Sequence, residues 1–133
     1  MRELLAVIAG SIVGSSLRLG LDTLVPHDSD QFAVSTFVIN VVGSFALGYL
    51  VARVWPIAAP WLKSGLGAGL MGTFTTFSAL ALGVVTLTWS GQLALAIAYL
   101  VVTLVAGFAA AFAGITLGRS RIRSAPGNDE VPE

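Results

Sequence analysis

The 133-residue chain has no cysteine, a single histidine, and no charged residue anywhere between Ser64 and Gly118. Without cysteine there is no disulfide, no thiolate metal site and no cysteine nucleophile, and the redox compartment stays open. Charged residues total only 11%, whereas a soluble domain carries roughly 25%. Hydrophobic residues make up 56% and the mean hydropathy is +0.88, a composition that describes an integral membrane protein. Catalytic groups are equally scarce. No nucleophile, base and orienting group converge, and Glu3, Asp22 and His27 fall near span ends or in a loop, so the expectation is a protein that is not an enzyme. No nucleic-acid partner is expected; membrane lipid is.

A helical span needs about 20 mostly apolar residues, and four stretches qualify: 4–24, 32–52, 62–87 and 93–118. The first is interrupted by Arg18 and Asp22. The last two are divided by the breaker Thr88-Trp89-Ser90-Gly91-Gln92. The loop 25–30 and the turn from Trp55-Pro56 to Pro60-Trp61 separate the others, and Trp55, Trp61 and Trp89 stand at boundaries, as an interfacial aromatic belt requires. Arg2 before an apolar stretch imitates a secretory signal. No Ala-x-Ala-like cleavage site follows, and the later spans need an anchored neighbour, so the first span is expected to be retained. The polar tail 120–133, with Pro126-Gly127 and a final acidic cluster, is expected to be disordered.

Glycine spacing describes how the helices meet. Gly10 and Gly14, Gly65 and Gly69, and Gly114 and Gly118 are each four apart, and small residues at that spacing let helix backbones approach closely in lipid. Polar residues also recur on single faces. Thr36 and Asn40 are four apart on the second span, Tyr99 and Thr103 on the fourth, and Thr76 and Ser78 flank Phe77 on the third. Asparagine is the strongest signal, because an unpaired amide in hydrocarbon costs several kcal/mol. The plainer reading of Asn40 is a hydrogen bond to a neighbouring helix. For Arg18 and Asp22, one turn apart, it is mutual pairing or snorkelling to the interface.

The segment Gly72-Thr73-Phe74-Thr75-Thr76-Phe77-Ser78 places three threonines and a serine at membrane depth, where polar groups must face another helix, an ion or water. Glycine and threonine are poor local helix formers, and a break here would free carbonyls of Gly72 and Thr75 for a hard cation such as sodium. Taken alone, the segment favours an unbroken helix whose hydroxyls bond back to their own turn.

Three patterns together, Gly10-x3-Gly14-x3-Arg18, Asn40-x2-Gly43-Ser44-Phe45-x2-Gly48 and Gly72-x2-Thr75-Thr76-Phe77-Ser78, resemble the CrcB/Fluc family of fluoride channels. The resemblance implies an all-α membrane protein of four transmembrane helices with the third broken. It implies an antiparallel dimer that lets fluoride leave the cell passively, and a structural, untransported sodium. On that resemblance Gly72 and Thr75 hold sodium through backbone carbonyls. Asn40 and Phe77 contact fluoride, Thr36, Tyr99, Thr103, Thr76 and Ser78 belong to its path, and Arg18 to a vestibule. The chain departs from the family at Ala79-Leu80, where a second phenylalanine is expected, at Gly83, where an acidic residue is common, and at Gly107, where a hydroxyl is common. The matched chemistry suits an anion: the Phe77 ring has a positive edge, and the Asn40 amide and the hydroxyls can replace water around fluoride.

Charge placement adds an expectation of its own. Arg2, Arg53, Lys63, Arg119, Arg121 and Arg123 lie at one side of the membrane, and only Arg18 leans toward the other. The positive-inside rule then puts both termini of a multi-pass protein of the cell membrane in the cytoplasm. One fixed orientation favours an antiparallel heterodimer with an oppositely biased paralogue over a homodimer. A non-conducting or partly degenerate partner subunit is the competing function. A small multidrug-type transporter is disfavoured because 4–17 holds no carboxylate.

Overall fold

The computed structural model of the chain describes residues 1–25 and 32–123. All regular structure among them is helical. Four helices are long and apolar enough to cross a membrane: a first span Arg2–Leu24, a second Val34–Val54, a third Pro60–Trp89 and a fourth that runs Leu93–Arg123. Most of the loop 25–30 and the tail beyond Arg123 lie outside the described residues. The fourth helix continues past Gly118, where the span was expected to end. Arginines at 119, 121 and 123 are good helix formers, and cations suit a helix C-terminus.

Local sequence explains each boundary. Pro60 opens the third span at a position where its missing N–H is no loss, preceded by extended Ala59. Gly91, at φ +80°, ends the same span; the turn is closed by Ser90 N–H to Thr86 O at 3.0 Å and Gln92 N–H to Leu87 O at 2.9 Å. Two wider, π-helical turns were not expected. One runs Leu50–Val54, the other Gly65–Met71, which carries three glycines. The Trp55 ring lies over the second of these, where a Cβ on Gly67 would sit 3.2 Å from its Cζ2.

The glycine pairs lie at the helix crossings. The first span packs on the first half of the third. A Cβ on Gly10 would collide with the Gly65 carbonyl, and one on Gly69 would sit 2.7 Å from the Val7 carbonyl oxygen. The second and fourth spans share a contact of similar extent. There Gly48 abuts the Ala111 backbone, Gly114 the Phe45 carbonyl, and a Cβ on Gly118 would lie 2.8 Å from Ala52 Cβ. Such backbone contact supplies dispersion attraction in a solvent that gives helices no hydrophobic reason to associate. A small apolar core of Ala33, Leu80, Leu87, Ala96 and Tyr99 joins the second span, the later half of the third, and the fourth.

Candidate functional site

The third span breaks at Thr75 and Thr76, whose φ,ψ of −74°,152° and −146°,116° are extended. Thr75 N–H is still bonded to the Met71 carbonyl at 3.1 Å. Thr76 N–H, which an unbroken helix would aim at the Gly72 carbonyl, instead donates to Asn40 Oδ1 at 2.8 Å. Asn40 Nδ2–H in return donates to the Thr76 carbonyl at 3.0 Å. A side-chain amide from the second span therefore takes the place of a peptide unit, and the helix resumes because Thr76 Oγ1 caps it, accepting Ala79 N–H at 3.2 Å.

Both readings of this segment hold in part. The helix is broken, and the threonines before the break also bond back to their own turn: Thr73 Oγ1–H to Gly69 O at 2.8 Å and Thr75 Oγ1–H to Met71 O at 2.8 Å. The plainer reading of Asn40, a hydrogen bond to a neighbouring helix, also holds. Its amide keeps one Nδ2 hydrogen beyond the bond to Thr76.

Beside the break opens a groove of about 470 Å³ between the second span, the later half of the third, and the fourth. Asn40, Thr75, Thr76, Phe77, Leu80 and Thr103 are among its lining residues. Phe77 is 72% exposed, and Thr103 is buried, its hydroxyl oxygen without a hydrogen-bond partner among the described residues. The remaining expected path residues are elsewhere. Ser78 is exposed and its Oγ lies 3.1 Å from Thr76 Oγ1. Thr36 and Tyr99 are buried outside the groove lining, and the Tyr99 hydroxyl has no hydrogen-bond partner among the described residues.

Arg18 is half-buried on the first span and outside the groove lining. Among the described residues no ion pair joins it to Asp22, contrary to one expectation; arginine N-terminal to the acid is the weaker order on a helix. Leu80 is 2% exposed and belongs to the apolar core, so an aliphatic side chain fills this position by packing against neighbours. Ser44, which entered the sequence reading only as part of a motif, and Phe108, which did not enter it, also line the groove. Ser44 was legible, standing one turn from Asn40; Phe108 carried no signal beyond its hydrophobicity.

No group of three or more acidic, histidine or cysteine side chains gathers among the described residues. The oxygens at the break are backbone carbonyls, the threonine hydroxyls and the Asn40 amide oxygen. The Gly72 carbonyl, whose helical donor Thr76 is bonded to Asn40 instead, has the chemistry a hard cation selects.

The sequence model of the CrcB-like protein family, Camphor Resistance (CrcB), matches residues 5–115. The chain is 36% identical over 115 residues to the fluoride-specific ion channel FluC of Paracoccus denitrificans, covering 86% of this chain and 93% of that one. It is 37% identical over 122 residues to FluC of Stutzerimonas stutzeri, covering 90% and 98%. With FluC 1 of Mycobacterium bovis it shares 36% over 126 residues, covering 92% and 95%. Four apolar helices and relatives that are channels make this a multi-pass membrane protein. Matched across all four helices and along nearly the whole length of those relatives, the chain belongs to the CrcB-like family.

Proposed function

We propose that this chain is a subunit of a fluoride-selective channel that lets fluoride run passively out of the cytoplasm and so relieves its toxicity. The observation that carries this reading is the groove in which Asn40, Thr76, Phe77 and Thr103, from three helices, meet beside a helix break. Fluoride gives up its water only to donors and positive edges. The free Nδ2 hydrogen of Asn40 and the unpartnered Thr103 hydroxyl supply donors, and the exposed Phe77 ring supplies a positive edge. None of these binds so tightly that the ion cannot leave. Thr36, Tyr99 and Ser78 extend the path beyond the groove, and Arg18 stands in the vestibule.

The break also suits a structural sodium ion, held by the carbonyls of Gly72 and Thr75. Bound there, the ion satisfies backbone oxygens that hydrocarbon cannot solvate. The chain's own part is to keep the segment open: Asn40 holds Thr76, and the Thr75 hydroxyl is bound to Met71 O.

A groove open on one side is completed by a second subunit, arranged antiparallel. The one-sided arginines and lysine support both termini in the cytoplasm and hence a heterodimer with a paralogue of opposite bias, the homodimer being the alternative. Leu80 and Gly83 favour a second reading, in which this chain is the partly degenerate partner whose mate supplies the aromatic and acidic groups. Fluoride efflux from liposomes tests both. Efflux with the chain alone supports the homodimer, efflux only with the paralogue supports the heterodimer, and no efflux in either overturns the channel reading.

A further inference from the structure

Tyr99 is fully buried, yet its hydroxyl has no hydrogen-bond partner among the described residues. Thr36 is the polar side chain that faces the hydroxyl, and the walls packed around the ring confine it. Phe32 meets the ring edge-on, with centroids 4.7 Å apart and planes at 72°. Gly83, in the later half of the third span, is another close neighbour. A Cβ added there would lie 2.8 Å from Tyr99 Cε1, 3.6 Å from Cζ and 3.7 Å from Cδ1. Real atoms do not approach a ring carbon that closely, so the ring would have to move.

We propose that Gly83 is a positioning residue for Tyr99: its missing side chain is the berth in which the ring lies, and so sets where the hydroxyl stands. The glycine that reads in the sequence as a departure from the family has a steric reason in this chain. Glycine in a helix interior is unfavourable relative to alanine, so without such a reason it would be a plain loss. An acidic side chain at 83 and the present Tyr99 position exclude each other. The consequence for transport rests on the reading of Tyr99 as a donor on the fluoride path. The steric relation does not.

Gly83→Ala tests it in the full-length assembled channel. On helix propensity alone alanine would raise the melting temperature; the berth requires that it fall. In a Tyr49→Phe background labelled with 3-fluorotyrosine, the single fluorine resonance reports Tyr99, and Gly83→Ala should shift it. Fluoride flux should drop several-fold, and Gly83→Ala should cause no further drop once Tyr99→Phe has removed the hydroxyl. An unshifted resonance, or an equal drop in the Tyr99→Phe background, overturns the proposal.

If Gly83→Ala fails to fold, the double variant Gly83→Ala/Tyr99→Leu decides. Recovery of folded protein shows that the ring was the obstacle, and continued failure overturns the berth. A wild-type assembly that passes no fluoride would sink the channel reading while leaving the fluorine resonance to judge Gly83 and Tyr99.

Discussion

The side chain of Asn40 bridges the break in the third helix from the neighbouring second helix, accepting Thr76 N–H at 2.8 Å and donating to the Thr76 carbonyl at 3.0 Å. One amide thus satisfies both backbone groups of an extended residue. The same residue that offers a spare N–H to the groove holds the groove's wall in shape.

Asn40→Ala should accordingly cost stability as well as transport. It leaves the Thr76 N–H and carbonyl unpaired, a loss of about 2 kcal/mol or more, since each unsatisfied buried group costs about 1–3 kcal/mol. Thermal unfolding in detergent should show a clear drop. A melting temperature equal to that of the wild type would mean that the Thr76 backbone finds other partners.

Phe77 separates the two effects. Its ring is 72% exposed in the subunit, so Phe77→Ile should leave the subunit's fold and expression intact while removing the positive ring edge. Fluoride flux in whichever dimer is active should fall sharply. Flux at the wild-type rate would show that the path using this ring is silent.

Gly72 bears on the cation. Within the subunit a Cβ at this position would meet only the Gly67 carbonyl oxygen, 3.6 Å away, so Gly72→Val should fold. The branched side chain would crowd the free Gly72 carbonyl, and stabilisation by sodium, which grows with ion concentration when only the folded assembly binds it, should weaken. Undiminished sodium-dependent stabilisation would put the ion somewhere else.

The proposed orientation rests on the basic residues at Arg2, Arg53, Lys63 and Arg119 to Arg123. Reporter fusions at the C-terminus should give a cytoplasmic signal only. Comparable signals from both sides of the membrane, or a stable homodimer that conducts by itself, would remove the case for a heterodimer and make Leu80 a tolerated change.

The sequence by itself determined the four helices, because runs of apolar residues have no other way to satisfy their backbone in lipid. It also determined the glycine crossings at Gly10, Gly65 and Gly114, where spacing alone puts small residues on one face, and the neighbourhood of the break at 72–76, where glycine and threonine weaken the helix. Tertiary structure decided the rest. Local propensity by itself favoured an unbroken third helix, and the balance was turned by Asn40, which lies 36 residues earlier in the chain and becomes a partner of Thr76 only once two helices pack. Helical spacing set Thr36 and Asn40 on one face, and Tyr99 with Thr103 on another. It could not say that only Asn40 and Thr103 line the groove, because that depends on how the faces turn against each other. Nor could it explain Gly83, whose reason is a ring on a different helix. Periodicity records which side of a helix a residue occupies; contact between helices is a property of their packing, and here packing decided where each polar group meets its partner.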